Sequence, residues 1–134
     1  MTKRNLSLFR IAKNVAELSD HRHKIGAVLY HKHTIIGSGH NSNTKTDIIQ
    51  AKLDKKKYGC ESSGKLHAES ALLIPFLKRH IDLSGSELFI YRERKDHSLG
   101  MARPCSSCMK LIKQAGIKKI HYSTYDGYAT ELIL

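Results

Sequence analysis

The stretches "GKLHAESAL" (64–72) and "RPCSSCMKL" (103–111) decide how this chain is read. After His67, residues Ala68, Ala71, Leu72 and Phe76 recur on one side, the spacing of an amphipathic helix over about 67–77. Pro75 falls inside it. Proline cannot donate to the helix ladder and crowds the carbonyl four residues back, so a kink or an early end is expected there. The second helix runs from Cys105 to Ala115, entered through Pro104 and stopped by Gly116, which can take the left-handed conformation that ends helices. The reactive side chains thus sit at two helix starts, where the positive end of the helix favours negative charge and stabilises thiolates.

Outward from these helices, residues 6–19 carry Leu8, Ile11, Val15 and Leu18 at helical spacing. Two apolar runs, 25–30 and 34–36, are joined by the polar "HKH" (31–33) and read as a hairpin. Gly37 and Gly39 let its second strand end in a turn near Asn41. Residues 43–65 have no clean period beyond a short helix around 48–53; the rest reads as a long lysine-rich loop, and such loops are often functional. "SELFIYRER" (86–94) is a buried strand, "KDHSLGMAR" (95–103) a loop, "KKIHYST" (118–124) a strand, "YDG" (125–127) a turn and "YATELIL" (128–134) a last strand. The order α-β-β-α-β-α-β-β predicts one α/β domain over 1–134, a central sheet with helices on its faces. Alternation on both sides of "YDG" predicts an antiparallel final hairpin, with Gly127 at φ > 0 closing a bulged turn. A parallel last strand would need a crossover of about a dozen residues.

The chain has 134 residues, 40% hydrophobic and 26% charged, a composition of folded soluble domains. No run reaches the roughly 18–20 apolar residues of a membrane span. The basic start lacks an apolar core and a cleavage site, so it reads as the first helix rather than a signal peptide. Three cysteines, Cys60, Cys105 and Cys108, make a poor disulfide framework; reduced thiols and a cytoplasmic location are expected. Lys plus Arg is 23 against 12 Asp plus Glu, a formal charge of +11. This fits a polyanionic partner, and equally a well-solvated surface.

The pair Cys105 and Cys108 admits three readings. A structural zinc site needs a second CxxC or two suitably spaced histidines, a redox CxxC needs thioredoxin-like surroundings, and a catalytic zinc needs one more ligand and an open position for water. His67 supplies that ligand, and Glu69, two positions on, is a carboxylate able to reach the water without joining the metal.

H-x-E followed by P-C-x-x-C is the signature of zinc nucleobase deaminases. With "HAE" at 67–69 and "PCSSC" at 104–108, each opening a helix and separated by a strand, the chain resembles the cytidine/deoxycytidylate deaminase superfamily over nearly its whole length. The resemblance implies a three-layer fold around a mixed sheet of about five strands. It implies Zn²⁺ on His67, Cys105 and Cys108, Glu69 as proton shuttle, and hydrolysis of cytosine to uracil by a zinc-activated water. It also implies that Asn41 holds the sugar and that main-chain N–H groups of Ala68 and its neighbours face the base. His40, beside Asn41, is a further pocket candidate. Free-nucleoside cytidine deaminases carry cysteine in place of His67 and an "FNxEN" motif absent here. The tRNA adenosine deaminases usually show "EPCxxC"; here Arg103 precedes the proline, which argues against adenosine and puts a group there that could touch phosphate or be a plain surface charge. The superfamily has both arrangements of the last two strands, and the tRNA and dCMP types resemble the parallel one.

For the substrate, the charge and the lysine-rich loop favour cytosine in single-stranded DNA or RNA, with Lys55, Lys56, Lys57, Lys65 and Tyr125 as contacts; single strands bind basic grooves with aromatic stacking. The alternative is a free cytosine nucleotide such as dCMP, whose phosphate suits a basic pocket equally. A third reading is an inactive, zinc-stabilised nucleic-acid-binding module, though that gives Glu69 no reason to be glutamate. No membrane partner is implied, and copies of the chain could assemble into a homo-oligomer. Cys60 reads as a spare thiol, His31 and His33 as turn residues, and His21, His23, His80, His97 and His121 as exposed or structural.

Overall fold

The computed structural model describes residues 2–42 and 67–133. They form α1 (Lys3–Ala16), β1 (Lys24–His31), β2 (Thr34–His40), α2 (Ala68–Lys78), β3 (Glu87–Glu93), α3 (Ser106–Ala115), β4 (Lys119–Ser123) and β5 (Tyr128–Leu132). The sheet order is β2-β1-β3-β4-β5. Only β3 and β4 are parallel; the other neighbouring pairs are antiparallel. The expected mixed sheet of five strands is present.

Side chains alternate across a strand, and that alternation splits the core in two. Ala27 and Leu29 of β1 with Leu88 and Ile90 of β3 pack against Leu72 and Leu73 of α2 and Leu111 and Ile112 of α3. Val28, Phe89 and Tyr91 point the other way, onto Leu8, Phe9, Ala12 and Ala16 of α1. The result is three layers, α1 on one face and α2 with α3 on the other.

Several boundaries differ from the sequence expectation. The buried face of α1 is Leu8, Phe9, Ala12 and Ala16, while Ile11 and Leu18 are 37% and 70% exposed. The alanines win because the backbone of Gly26 in β1 lies directly against the Ala12 carbonyl and Ala16 amide; larger side chains would hold helix and strand apart. α2 runs through Pro75 to Lys78. Pro75 is exposed, and the main chain resumes with Arg79 N donating to the Pro75 carbonyl. β2 continues through both glycines to His40, because a Cβ on Gly39 would lie 2.8 Å from the Ala68 carbonyl oxygen: here the strand touches the α2 backbone. The short helix around 48–53 and the loop at 43–65 lie outside the described residues.

The final hairpin is antiparallel as expected, with Ser123 opposite Tyr128. Its turn closes by Thr124 N donating to the Gly127 carbonyl at 2.7 Å. Gly127 is not left-handed, since only Gly85 and Gly116 among the described glycines have positive φ; Thr124 Oγ1 instead braces the turn through Asp126 Oδ1. The β1–β2 connection has Lys32 and His33 both at positive φ, the geometry of a tight two-residue hairpin. No described helix is long and apolar enough to cross a membrane.

Candidate functional site

β1 begins at the sheet edge where β2, β3 and β4 end, as the pairings Gly26–His40, Lys24–Glu93 and Ile90–Tyr122 show. Both reactive helices start from that edge. Open α/β sheets place their ligand sites outside strand carboxyl ends because the loops diverge there.

Residues 93–105 fold back over this edge before entering α3. Glu93 bridges to Leu99, Gly100 N donates to the Arg92 carbonyl at 2.9 Å, and Ala102 N donates to the Ser123 carbonyl at 2.9 Å. The buried hydroxyl of Ser123 donates to the Gly100 carbonyl at 2.8 Å and accepts from Arg92 N at 3.0 Å. Pro104 then delivers Cys105 as the residue capping α3. On the facing helix His67 is the cap of α2, fixed by reciprocal bonds with Ser70: His67 N donates to Ser70 Oγ at 2.9 Å, and Ser70 Oγ lies 3.0 Å from the His67 carbonyl.

These caps bring three donor atoms together. His67 Nδ1 is 3.5 Å from Cys105 Sγ and 3.3 Å from Cys108 Sγ, and all three ligand atoms lie within 4.8 Å of one another. Zinc bonds of roughly 2.0 Å to nitrogen and 2.3 Å to sulfur in tetrahedral geometry put N and S roughly 3.5 Å apart, so the donor set fits zinc in both spacing and softness. Glu69, in the first turn of α2, is 5% exposed. Burial pushes its carboxyl up, against the pull of His67 and of hydrogen bonds from backbone and Cys108.

A cavity of about 310 Å³ opens onto this cluster, lined by His67, Glu69, Cys105, Asn41, Ser42, Ile25, His21, His23, Arg92, Met101, Ala102 and Arg103. Its volume lies at the small end of ligand sites. The structure therefore gathers His67, Glu69, Cys105, Asn41 and Arg103 around one space, with Cys108 buried behind.

Asn41 is largely occupied by the fold. Its Oδ1 accepts from Ile25 N at 3.0 Å and lies 2.6 Å from Ser19 Oγ; its Nδ2 donates to the His23 carbonyl at 2.7 Å. It ties the start of β1 to the end of β2 and keeps one Nδ2 proton to offer. His40 lines a different depression, with Val15, Leu18 and Ala71, because neighbours on a strand point to opposite faces. Ala68 is fully buried in the first turn of α2, where N–H groups lack helical acceptors. Arg103 makes two 2.9 Å hydrogen bonds to Glu131, which also accepts from Tyr122 Oη at 3.1 Å. Its hydrogen bonds with Arg103 hold the Glu131 carboxyl below its ordinary value. Tyr125 is 61% exposed, with the Arg94 guanidinium 5.0 Å from its ring centre. Lys55, Lys56, Lys57 and Lys65 lie outside the described residues.

Sequence reasoning missed His21, His23 and Arg92. The two histidines stand two apart just ahead of β1, a spacing that puts extended side chains on one side. Nothing local marked Arg92 among 23 basic residues.

The family model for the cytidine and deoxycytidylate deaminase zinc-binding region matches residues 2–124. The chain belongs to that family. Cytosine-type deamination is therefore the chemistry of its relatives, and zinc is its metal. Among solved structures, dCMP deaminase from the cyanophage S-TIM5, in apo form, is 29% identical, with a TM-score of 0.61 over 91% of this chain and 84% of that one. The same enzyme in complex with dCMP and dUMP is 27% identical, with a TM-score of 0.59 over 91% and 82%. Cytidine deaminase from Burkholderia pseudomallei, 16% identical, shares the fold with a TM-score of 0.65 over 99% and 94%. None of the curated proteins matches the chain.

Proposed function

We propose that the chain, as one domain over 1–134, hydrolytically deaminates the cytosine of a free 5′-nucleotide of the dCMP class. The carrying observation is the basic cavity of about 310 Å³ that ends on His67, Cys105, Cys108 and Glu69. Arg92 lines it with the donor rings of His21 and His23, while Glu131 already pairs with Arg103, and the one carboxylate lining it among the described residues is Glu69. That balance suits an anion, and the likeness to a dCMP deaminase at 29% identity supports a nucleotide monophosphate; the antiparallel β4–β5 pair departs from the parallel arrangement the resemblance gave for the dCMP type.

In this reading His67, Cys105 and Cys108 are the zinc ligands. Bound there, zinc supplies a water acidic enough to act as hydroxide near neutral pH. Glu69 would be the proton carrier: it would protonate N3 as hydroxyl adds to C4, then take the proton of the added hydroxyl and pass it to the amino group, so that the C4–N bond breaks, ammonia leaves and C4 becomes the carbonyl. Its burial keeps bulk water from competing for those transfers. The free Nδ2 proton of Asn41 serves a sugar hydroxyl, and the first-turn amides around Ala68 serve the base. Arg103 closes the wall through Glu131 rather than reaching for the ligand.

Cytosine in single-stranded nucleic acid is the second reading. The charge of +11 favours it, as does a basic depression lined by Arg103, Met109, Lys110 and Lys113 that adjoins Cys105. Ammonia release from dCMP, deoxycytidine, cytidine, and single-stranded DNA and RNA tests the proposal. Turnover of dCMP far above the strands is expected. Turnover of a strand with dCMP inert would replace the first reading by the second, and no ammonia from any of them, with zinc bound, would remove both.

A further inference from the structure

Among the described residues, two buried donors in the cavity wall have nothing to donate to. Arg92 Nε and His23 Nδ1 are both buried without a hydrogen-bond partner, and both residues line the cavity. The tautomer of His23 follows from its other nitrogen. Arg22 Nε lies 3.4 Å from His23 Nε2; arginine can only donate, so Nε2 accepts and Nδ1 carries the proton. Burial, followed by the charges of Arg92 and Arg22, lowers the His23 pKa and keeps that neutral form. His21 Nδ1 accepts from His23 N at 3.0 Å, which leaves the His21 proton on Nε2 and adds a third donor. Buried polar groups are as a rule satisfied, and each exception calls for an explanation. Orphan donors gathered in one cavity are explained by an acceptor that arrives with the ligand.

Arg92 differs from the other arginines near carboxylates. Arg4 pairs with Glu87 and Arg103 with Glu131, whereas among the described residues Arg92 has no carboxylate partner and only a 3.5 Å approach to the Met101 carbonyl. Its main chain is nevertheless held tightly, by Ser123 Oγ on its amide and Gly100 N on its carbonyl. A Cβ on Gly100 would come within 2.9 Å of Arg92 Cγ, so the glycine makes room for the arginine stem. The His23 carbonyl is likewise fixed, by Asn41 Nδ2. A rigid frame around unpaired donors is a preorganised anion site, and a phosphoryl group offers three acceptor oxygens to a planar guanidinium fork.

We propose that Arg92, with His23 and His21, is the subsite that holds the 5′-phosphoryl group and sets the preference for a nucleotide over a nucleoside. It rests on the nucleotide reading above. The shared chemistry is a phosphoryl oxygen; a monoester and the diester of a strand are told apart in the test.

Calorimetric binding of dUMP, deoxyuridine and a trinucleotide with a central deoxyuridine to the zinc-loaded protein needs no turnover. The wild type should bind dUMP well above deoxyuridine. Arg92→Gln should cut the dUMP-to-deoxyuridine affinity ratio by about 10- to 100-fold, the worth of one charge-assisted contact. His23→Leu should cut it less, and His23→Asn, whose Nδ2 stands where the ring Nδ1 stood, should restore most of it. Should Arg92→Gln not fold, Arg92→Lys and the His23 pair carry the same comparison. Equal binding of dUMP and deoxyuridine by the wild type overturns the proposal, as does an unchanged ratio in the variants. A trinucleotide that binds as tightly as dUMP, and loses as much on Arg92→Gln, overturns the monoester. If deoxyuridine binds and only the phosphate adds nothing, this subsite alone is wrong; if neither ligand binds and no ammonia is released, the deaminase reading fails with it.

Discussion

His67 and Cys105 cap two facing helices, Cys108 lies in the first turn of α3, and Glu69 lies in the first turn of α2. Replacing a ligand and replacing the carboxylate should therefore fail in different ways. His67→Ala, Cys105→Ala and Cys108→Ala should each lose most of the bound zinc, because two protein donors hold the ion far less well than three. Full zinc in all three variants, measured by elemental analysis, would sink the ligand assignment. Glu69→Gln should keep zinc and fold while lowering turnover by about 10²- to 10⁴-fold, the usual worth of a positioned acid–base group. Near-normal ammonia release from that variant would remove Glu69 from the mechanism. These four positions stood out in the sequence because the H-x-E and P-C-x-x-C signature, which carries the resemblance, is a short-range pattern at helix starts. His21, His23 and Arg92 did not, because they reach the cavity from the start of β1 and the end of β3, which only strand pairing brings together.

The elements that carry these residues are set by close backbone approaches. Gly26 in β1 lies against the Ala12 carbonyl and Ala16 amide of α1. Gly26→Ala must push helix from strand, since backbone cannot move aside as a side chain can, and overpacking of this kind costs about 1–3 kcal/mol or more. Gly127→Ala, with nothing within 4 Å of the added Cβ, should be close to neutral. A urea midpoint as low for the second variant as for the first would overturn this account of the α1–β1 contact. Helix and strand types were readable from periodicity, and the final hairpin from its short connection. The face of α1 was misread for a physical reason: periodicity favours the larger apolar residues Ile11 and Leu18, whereas the contact with a glycine backbone requires alanine.

Across the whole molecule, stability should depend on pH through His121. This residue is 1% exposed, stacked on Phe89 with ring centres 4.3 Å apart. Its Nε2 lies 2.8 Å from Glu87 Oε1 and its Nδ1 2.8 Å from Thr130 Oγ1, linking β3, β4 and β5. Burial lowers its pKa, outweighing the pull of Glu87. A histidine depressed in the folded state binds fewer protons there than in the unfolded chain, so its contribution is present above the ordinary value of 6.5 and lost as pH falls below it. The Glu87 carboxyl is also lowered: burial raises it, but the His121 hydrogen bond and the Arg4 and Lys119 charges prevail, which adds a second loss below 4.5. The thermal midpoint should therefore be level near pH 7.5 and decline towards pH 5; a flat profile over that range would remove His121 from the account. The charge of +11 carries a separate expectation. A nucleotide presents one phosphate, so its affinity should fall with salt by the slope of a single contact, whereas a strand adds roughly 0.7 per phosphate neutralised. A slope of several contacts for the preferred substrate would favour the strand.

Local spacing marked the two helix starts and the α/β order, patterns that helices and strands impose within a few residues, while the resemblance carried by H-x-E and P-C-x-x-C is what implied His67, Cys105 and Cys108 as zinc donors and Glu69 beside them. Register, the choice of α1 face, the anchoring of Asn41 between Ser19 and Ile25, and the meeting of His23 with Arg92 depended on long-range packing. In each of those cases a backbone contact or a paired strand, distant in sequence, fixes which side chain reaches the cavity and which is turned into the fold.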